Sequence, residues 1–127
     1  MKIDNNLYGG FVVSKNVLGG IPIRYSYREK SSIKELNGWT IMSEKDDDEY
    51  ANNPNNFLIV TAETLFHIAP VMAEIYDAPY GTDLFWMYEN GIHIGYYDLK
   101  ENRDVTIDKI LNHNVETNSE LLNINNM

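Results

Sequence analysis

The run Ser43-Glu44-Lys45-Asp46-Asp47-Asp48-Glu49-Tyr50 concentrates more potential chemistry than any other stretch of this chain. Five of the six residues from Glu44 to Glu49 are acids. Such a cluster can hold a metal ion, supply a general acid and base, present charge to a basic partner, or form an acidic turn in solvent. A calcium loop needs oxygen ligands at alternate positions, glycine at the sixth and glutamate at the twelfth. Counting from Glu44 puts Glu49 sixth and Asn55 twelfth, and counting from Asp46 puts Tyr50 fifth and Ala51 sixth. Neither register fits. Transition-metal chemistry has no better footing, because His67, His93 and His113 show no H-x-H or H-E-x-x-H spacing.

Catalysis by carboxylates requires two of them in unlike environments, and nucleophilic catalysis requires a nucleophile beside a base. Crowded acids in a polar turn lack an apolar pocket to raise one pKa, and no G-x-S-x-G setting occurs. A site assembled from Glu29, His93 and Asp83 would need contacts the sequence does not supply. The chain therefore reads as non-enzymatic, with no cofactor. Presentation of charge fits the run better, since Trp39 precedes it and Tyr50 closes it. Acids beside aromatics can steer onto a basic cleft and seal it. The competing reading is an acidic first turn of a short helix over DDDEYANN, which the helix dipole favours. One residue run can serve both.

The bulk numbers bound the rest. With 127 residues, 43% of them hydrophobic and 12% aromatic, the chain can bury the core of one domain. It has no cysteine, which excludes a disulfide scaffold and thiolate chemistry. Nineteen acids against ten bases leave a net charge of −9, which repels nucleic acid and speeds association with basic proteins. The start MKIDNNLYGG does not resemble a signal peptide, and no apolar run approaches spanning length. The expectation is a soluble cytoplasmic protein that does not engage a membrane.

Several segments read as strands. Phe11 to Val13 is a short apolar run between glycine pairs, and those glycines serve turns, because the lysine and helix of a phosphate loop are missing. Ile23, Tyr25 and Tyr27 alternate with Arg24, Ser26 and Arg28, a period-2 strand whose arginines face away from the tyrosines towards the acid run. In WTIMS, Trp39, Ile41 and Ser43 share a face. FLIVTA is continuously apolar, the pattern of a strand covered on both sides. A helix opening at Thr61 or Thr64 carries Leu65, Ile68, Met72 and Ile75, with Pro70 splitting it and Pro79 ending it.

Asn90–Gly91 between alternating apolar residues predicts a hairpin with a type I′ turn. Its two-residue register pairs Met87 with Ile94, Trp86 with Gly95 and Phe85 with Tyr96. One face then collects Phe85, Met87, Ile92, Ile94 and Tyr96 as core, and the other Leu84, Trp86, Tyr88, His93 and Tyr97. That second face either packs under the helix or stays open as a contact surface. The sum is an α+β domain over residues 1–111, a mostly antiparallel sheet with one broken helix packed on it. Residues 112–127 read as an Asn-rich, disordered tail.

Four runs in order, GGFVVSKNVL, IRYSYREK, NGWTIMSEKDDDEYANNPNNF and IAPVMAEIYDAPYGTDLFW, give the chain a family likeness. It resembles a family of small α+β proteins long catalogued as a domain of unknown function and described as the thirty-third predicted polymorphic-toxin immunity family. The likeness spans about residues 9 to 86. It implies a bacterial protein that neutralises a cognate toxin, with no catalytic residues to carry over. On that expectation Glu44, Asp46, Asp47, Asp48 and Glu49 steer the encounter with a toxin bearing a basic cleft. Trp39, Tyr50, Trp86 and Tyr88 supply anchors. The alternative is a small ligand-binding or regulatory domain that uses the aromatic hairpin face as its pocket.

Overall fold

The computed structural model describes residues 3–112. Seven strands form a single sheet: β1 (Gly10–Ser14), β2 (Ile23–Arg28), β3 (Leu36–Ser43), β4 (Phe57–Val60), β5 (Asp83–Glu89), β6 (Ile92–Asp98) and β7 (Arg103–Val105). Their order across the sheet is β4-β1-β3-β2-β5-β6-β7. Only β1 and β3 run parallel; every other neighbouring pair is antiparallel. The fold is thus α+β with a mostly antiparallel sheet.

Among the described residues several short helices accompany it in place of one broken helix, including α1 (Asn5–Tyr8), α2 (Lys15–Leu18), α3 (Asp48–Ala51), α4 (Ala62–Ile68) and α5 (Val71–Ile75). The segment expected to be split at Pro70 is divided there, between α4 and α5 at Ala69–Pro70. Pro70 has no N–H to give to the helix before it, and it keeps Ala69 out of the helical conformation. Thr61 caps α4, its hydroxyl accepting from the Thr64 N–H. Beyond β7 the chain turns helical again over residues 107–112, and Ile110 returns to the core.

Alternation within the strands decides which side the helices cover. In β3, Asn37, Trp39, Ile41 and Ser43 are buried while Gly38, Thr40 and Met42 are only half-buried. Phe11 and Val13 of β1, Trp39 and Ile41 of β3, and Leu84, Trp86 and Tyr96 of the hairpin form one core with Leu65, Met72 and Ile75 of the helices. Trp39 donates its indole N–H to the Tyr76 carbonyl at 3.0 Å, tying the sheet to the end of α5.

Arg28 reinforces that joint. Its guanidinium donates to the carbonyls of Asn37, Tyr76 and Ala78 at 2.9 to 3.0 Å and lies over the rings of Tyr76 and Tyr80. An arginine facing away from the tyrosines of β2 thus serves carbonyls and rings rather than acids. Gly38 is required where it stands: its φ is +93°, and a Cβ there would overlap the Glu29 carbonyl oxygen.

Two strand readings are corrected by the structure. β4 is an edge strand, paired only with β1, and Leu58 and Ile59 are 48% and 66% exposed. An apolar run is compatible with a covered strand without requiring one. In the hairpin, Asn90 and Gly91 both adopt positive φ, 52° and 79°, as a type I′ turn demands. Tyr88 does pair with His93, but a bulge follows, so that Met87 pairs with Gly95, Trp86 with Tyr96 and Phe85 with Tyr97. One extra residue on β6 exchanges its faces. The core side of β5 is also the opposite of the one expected, because the helices pack on its Leu84 and Trp86 side. Leu84 and Trp86 are buried, Phe85 and Met87 are half-buried on the opposite side, and Ile92 and Ile94 are 67% and 58% exposed.

Candidate functional site

The side of the sheet away from the α4–α5 layer carries a row of half-buried side chains outside the core cluster. Matched registers bring Val12 beside Thr40, Thr40 beside Tyr27, Met42 beside Tyr25, Tyr25 beside Phe85, and Phe85 beside Tyr97. All are half-buried, and none belongs to the core cluster on the other side. The Tyr25 and Phe85 rings meet edge to face, with centroids 5.6 Å apart. Large apolar and aromatic side chains in a contiguous patch on a sheet face are the usual make-up of a protein-binding surface.

One end of this face is walled by the acid run, in which each acid has its own place. Asp46 is only 9% exposed. Its carboxylate accepts from the Ser43 N–H, the Ser43 hydroxyl and the Asn16 amide, each at 2.7 Å. Burial works against its charged form, but these hydrogen bonds and one from Ser14 outweigh it and hold the carboxyl below its ordinary range. Asp47 caps α3 through the Tyr50 N–H at 2.8 Å, and Asp48 and Glu49 occupy the first turn, where a helix favours negative charge. Glu44 pairs with Arg24 at 3.1 Å. That contact joins β2 to the acid run, as the arginine side of the strand suggested. Asp47, Asp48 and Glu49 are exposed; Asp47 is taken up by the cap, which leaves Asp48 and Glu49 as the acids of α3 turned to solvent.

The remaining expected anchors lie elsewhere. Trp39 is fully buried and Trp86 is 3% exposed, its indole N–H donating to the Ser26 hydroxyl at 2.8 Å. Both are core residues and neither offers a surface. Tyr50 is half-buried on α3, its hydroxyl donating to the Asn56 carbonyl and its ring 6.2 Å from that of Phe57. Tyr88 is on the helix-covered side with His93, which lies against the rings of Trp86 and Tyr96 as well. There, with Val17, Ile23 and Pro70, a cleft of about 260 Å³ is lined by Trp86, Tyr88 and His93, and burial pushes the His93 pKa down.

The residues considered for a catalytic site are not assembled. Asp83 and Glu29 line a small cleft with Lys100, whereas His93 is on the opposite side of the sheet. Burial raises the Asp83 pKa, with Lys100 opposing and Asp98 and Glu29 adding to the shift. Among the described residues no group of three or more His, Asp or Glu side chains is placed to hold a metal, and no helix is long and apolar enough to cross a membrane.

The open face was missed because Phe85 and Met87 were assigned to the core, and alternation alone does not tell which side of a strand the helices cover. A usable signal was present: β2 offers Tyr25 and Tyr27 on one side and β5 offers apolar residues on both, more apolar surface than one short helical layer can cover.

Comparison with known proteins gave no match among curated proteins or solved structures. A family model does match, the Immunity protein Imm33 domain, over residues 11–94. That span runs from Phe11 of β1 through β5 and the first three residues of β6, and with it takes in the acid run and most of the open face. The chain belongs to the Imm33 family of immunity proteins.

Proposed function

We propose that this protein neutralises a cognate toxin by binding it, without chemistry, through the open sheet face and the acidic wall formed by α3. Membership of an immunity family supports a toxin-neutralising role. The observation that carries the choice of surface is the contiguous patch of Val12, Tyr25, Tyr27, Met42 and Phe85, bordered by Ala51 and Asn52 at the end of α3, the helix whose first turn carries the exposed Asp48 and Glu49. Tyrosines bring large, rigid contact area at low entropic cost. The acids and the net charge of −9 would speed approach to a basic surface. Occlusion of a basic cleft follows from that arrangement, the protein standing where the toxin's own substrate would bind.

Trp39 and Trp86 take a supporting part in this mechanism, holding the sheet from beneath, and Tyr50 and Phe57 brace α3 against β4. The test is co-expression with the toxin encoded beside the protein in its own genome, together with binding kinetics on the purified pair. Replacing Tyr25 and Phe85 by alanine is expected to weaken binding about 30-fold or more, the size of a hot-spot loss of about 2 kcal/mol. Asp48→Asn with Glu49→Gln should slow association and flatten its dependence on salt while leaving dissociation nearly unchanged. Full protection and unaltered kinetics in both variants would refute the assignment of this surface.

A further inference from the structure

The two edges of the sheet are built differently. At one edge β7 carries Arg103 and Asp104, both exposed, and charged side chains of that kind discourage a further strand. At the other, β4 reads Phe57-Leu58-Ile59-Val60, with no charge, proline or glycine. It pairs on one side only, and two of its four side chains are exposed hydrophobics. Successive residues of an antiparallel strand direct their N–H and C=O groups alternately to either side. About half of those of β4 therefore face outwards, and among the described residues no other element bonds to the backbone of Leu58 or Ile59.

We infer that β4 is a strand-addition site, taken by an extended, lysine- or arginine-bearing segment of the protein partner. The inference rests on the reading above that the chain binds a protein. Charge selects the occupant. From Asp46 to Leu99 the chain contains no lysine or arginine, and β4 lies between the exposed Asp48 and Glu49 of α3 and Glu63 in the first turn of α4. Lys15, which opens α2, is the base nearest along the ladder. A second copy would bring its own Asp48, Glu49 and Glu63 to the same seam, where like charges oppose pairing. A basic strand meets the opposite sign at both ends. Its side chains on the open side would enter the cleft of about 430 Å³ that Val12, Thr40 and Phe57 line under Asn52 and Pro54. Backbone bonding would give affinity there and the cleft specificity, as in other strand-addition complexes.

The probe is an N-acetylated octapeptide alternating lysine and valine, at millimolar concentration, with the uniformly nitrogen-15-labelled full chain. Amides of Phe57–Val60 that exchange freely in the protein alone are expected to gain at least tenfold protection. A glutamate–valine counterpart, and a lysine–valine peptide with proline at its centre, should give none. Ile59→Lys, at an exposed position the fold tolerates, should lower the response at least threefold. Unchanged exchange at residues 57–60, or an equal response to the glutamate peptide, overturns the inference. So does a dimer in sedimentation at tens of micromolar that Ile59→Lys dissolves, because the edge would then belong to a second copy. In the complex with the neighbouring toxin, loss of binding on Tyr25→Ala with Phe85→Ala while the β4 amides stay unprotected would defeat strand addition alone and leave the proposed function standing.

Discussion

Asp46→Ala separates the structural acid of the run from those proposed to steer a partner. The carboxylate accepts three hydrogen bonds of 2.7 Å, from the Ser43 N–H, the Ser43 hydroxyl and the Asn16 amide, with a further one from the Ser14 hydroxyl. Ser43 and Ser14 are fully buried. Alanine leaves the Ser43 N–H without a partner, at roughly 1–3 kcal/mol for one buried donor. The two serine hydroxyls can rotate towards other acceptors, and the Asn16 amide is partly reached by water, so they add less. A total of about 3 kcal/mol is expected, which for a chain of this length lowers the melting temperature by roughly 10 °C.

Urea unfolding followed by tryptophan fluorescence at pH 7 reads the difference, with Asp48→Asn as the control expected within about 0.5 kcal/mol. The pH dependence adds a second reading. Because the folded carboxyl sits below its ordinary value of 3.8, its contribution is present in full above that pH and is lost as pH falls through the folded value. The gap between wild type and Asp46→Ala should therefore narrow only in strong acid. A variant as stable as wild type at pH 7 would refute the account of Asp46 as the acid that fastens the β3–α3 corner.

Gly38→Ala should be among the most damaging single-methyl additions, because the new Cβ meets the Glu29 carbonyl oxygen and the backbone holds φ at +93°; a loss of about 3 kcal/mol or more is expected, and a melting curve matching wild type would contradict it. His93 is half-buried among Trp86, Tyr88 and Tyr96, and its desolvation there pushes its pKa down from 6.5. A folded value below the unfolded one means the unfolded chain binds the extra proton first. Its contribution is thus intact above about pH 6.5 and declines as pH drops below it. Unfolding measured between pH 5 and 7.5 should show that slope, and His93→Phe should remove it; an unchanged slope would place its origin elsewhere.

Much of the fold was legible from local chemistry. The Asn90–Gly91 turn, the face shared by Trp39, Ile41 and Ser43, and the break at Pro70 all rest on interactions within a few residues. What escaped depends on distant partners. The bulge on β6 leaves no mark in the order of residues, yet it decides on which side Gly95 and Tyr96 emerge, and so brings Tyr96 beside Trp86 in the core. The apolar run Phe57–Val60 likewise does not disclose whether a neighbour lies on both sides, since that is a property of topology. The acid run was divided only by the fold: which carboxylate turns inward depends on the reach of Ser14, Ser43 and Asn16, which come from two strands and a helix.

That division has a consequence for how such a surface can be tuned. Asp46 and Asp47 are committed to backbone and side-chain donors, so replacing them alters the corner before it alters any partner. Asp48 and Glu49 extend from a helix already fixed by that corner, and they can be exchanged with little effect on the sheet. The open face shares this separation, because Tyr25 and Phe85 stand on strands whose opposite sides, Ser26 and Leu84, are locked into the core. Alternation along a strand thus lets contact residues vary while their immediate neighbours hold the fold. A protein that must match one partner closely while its architecture stays constant is well served by an uncovered sheet face of this kind.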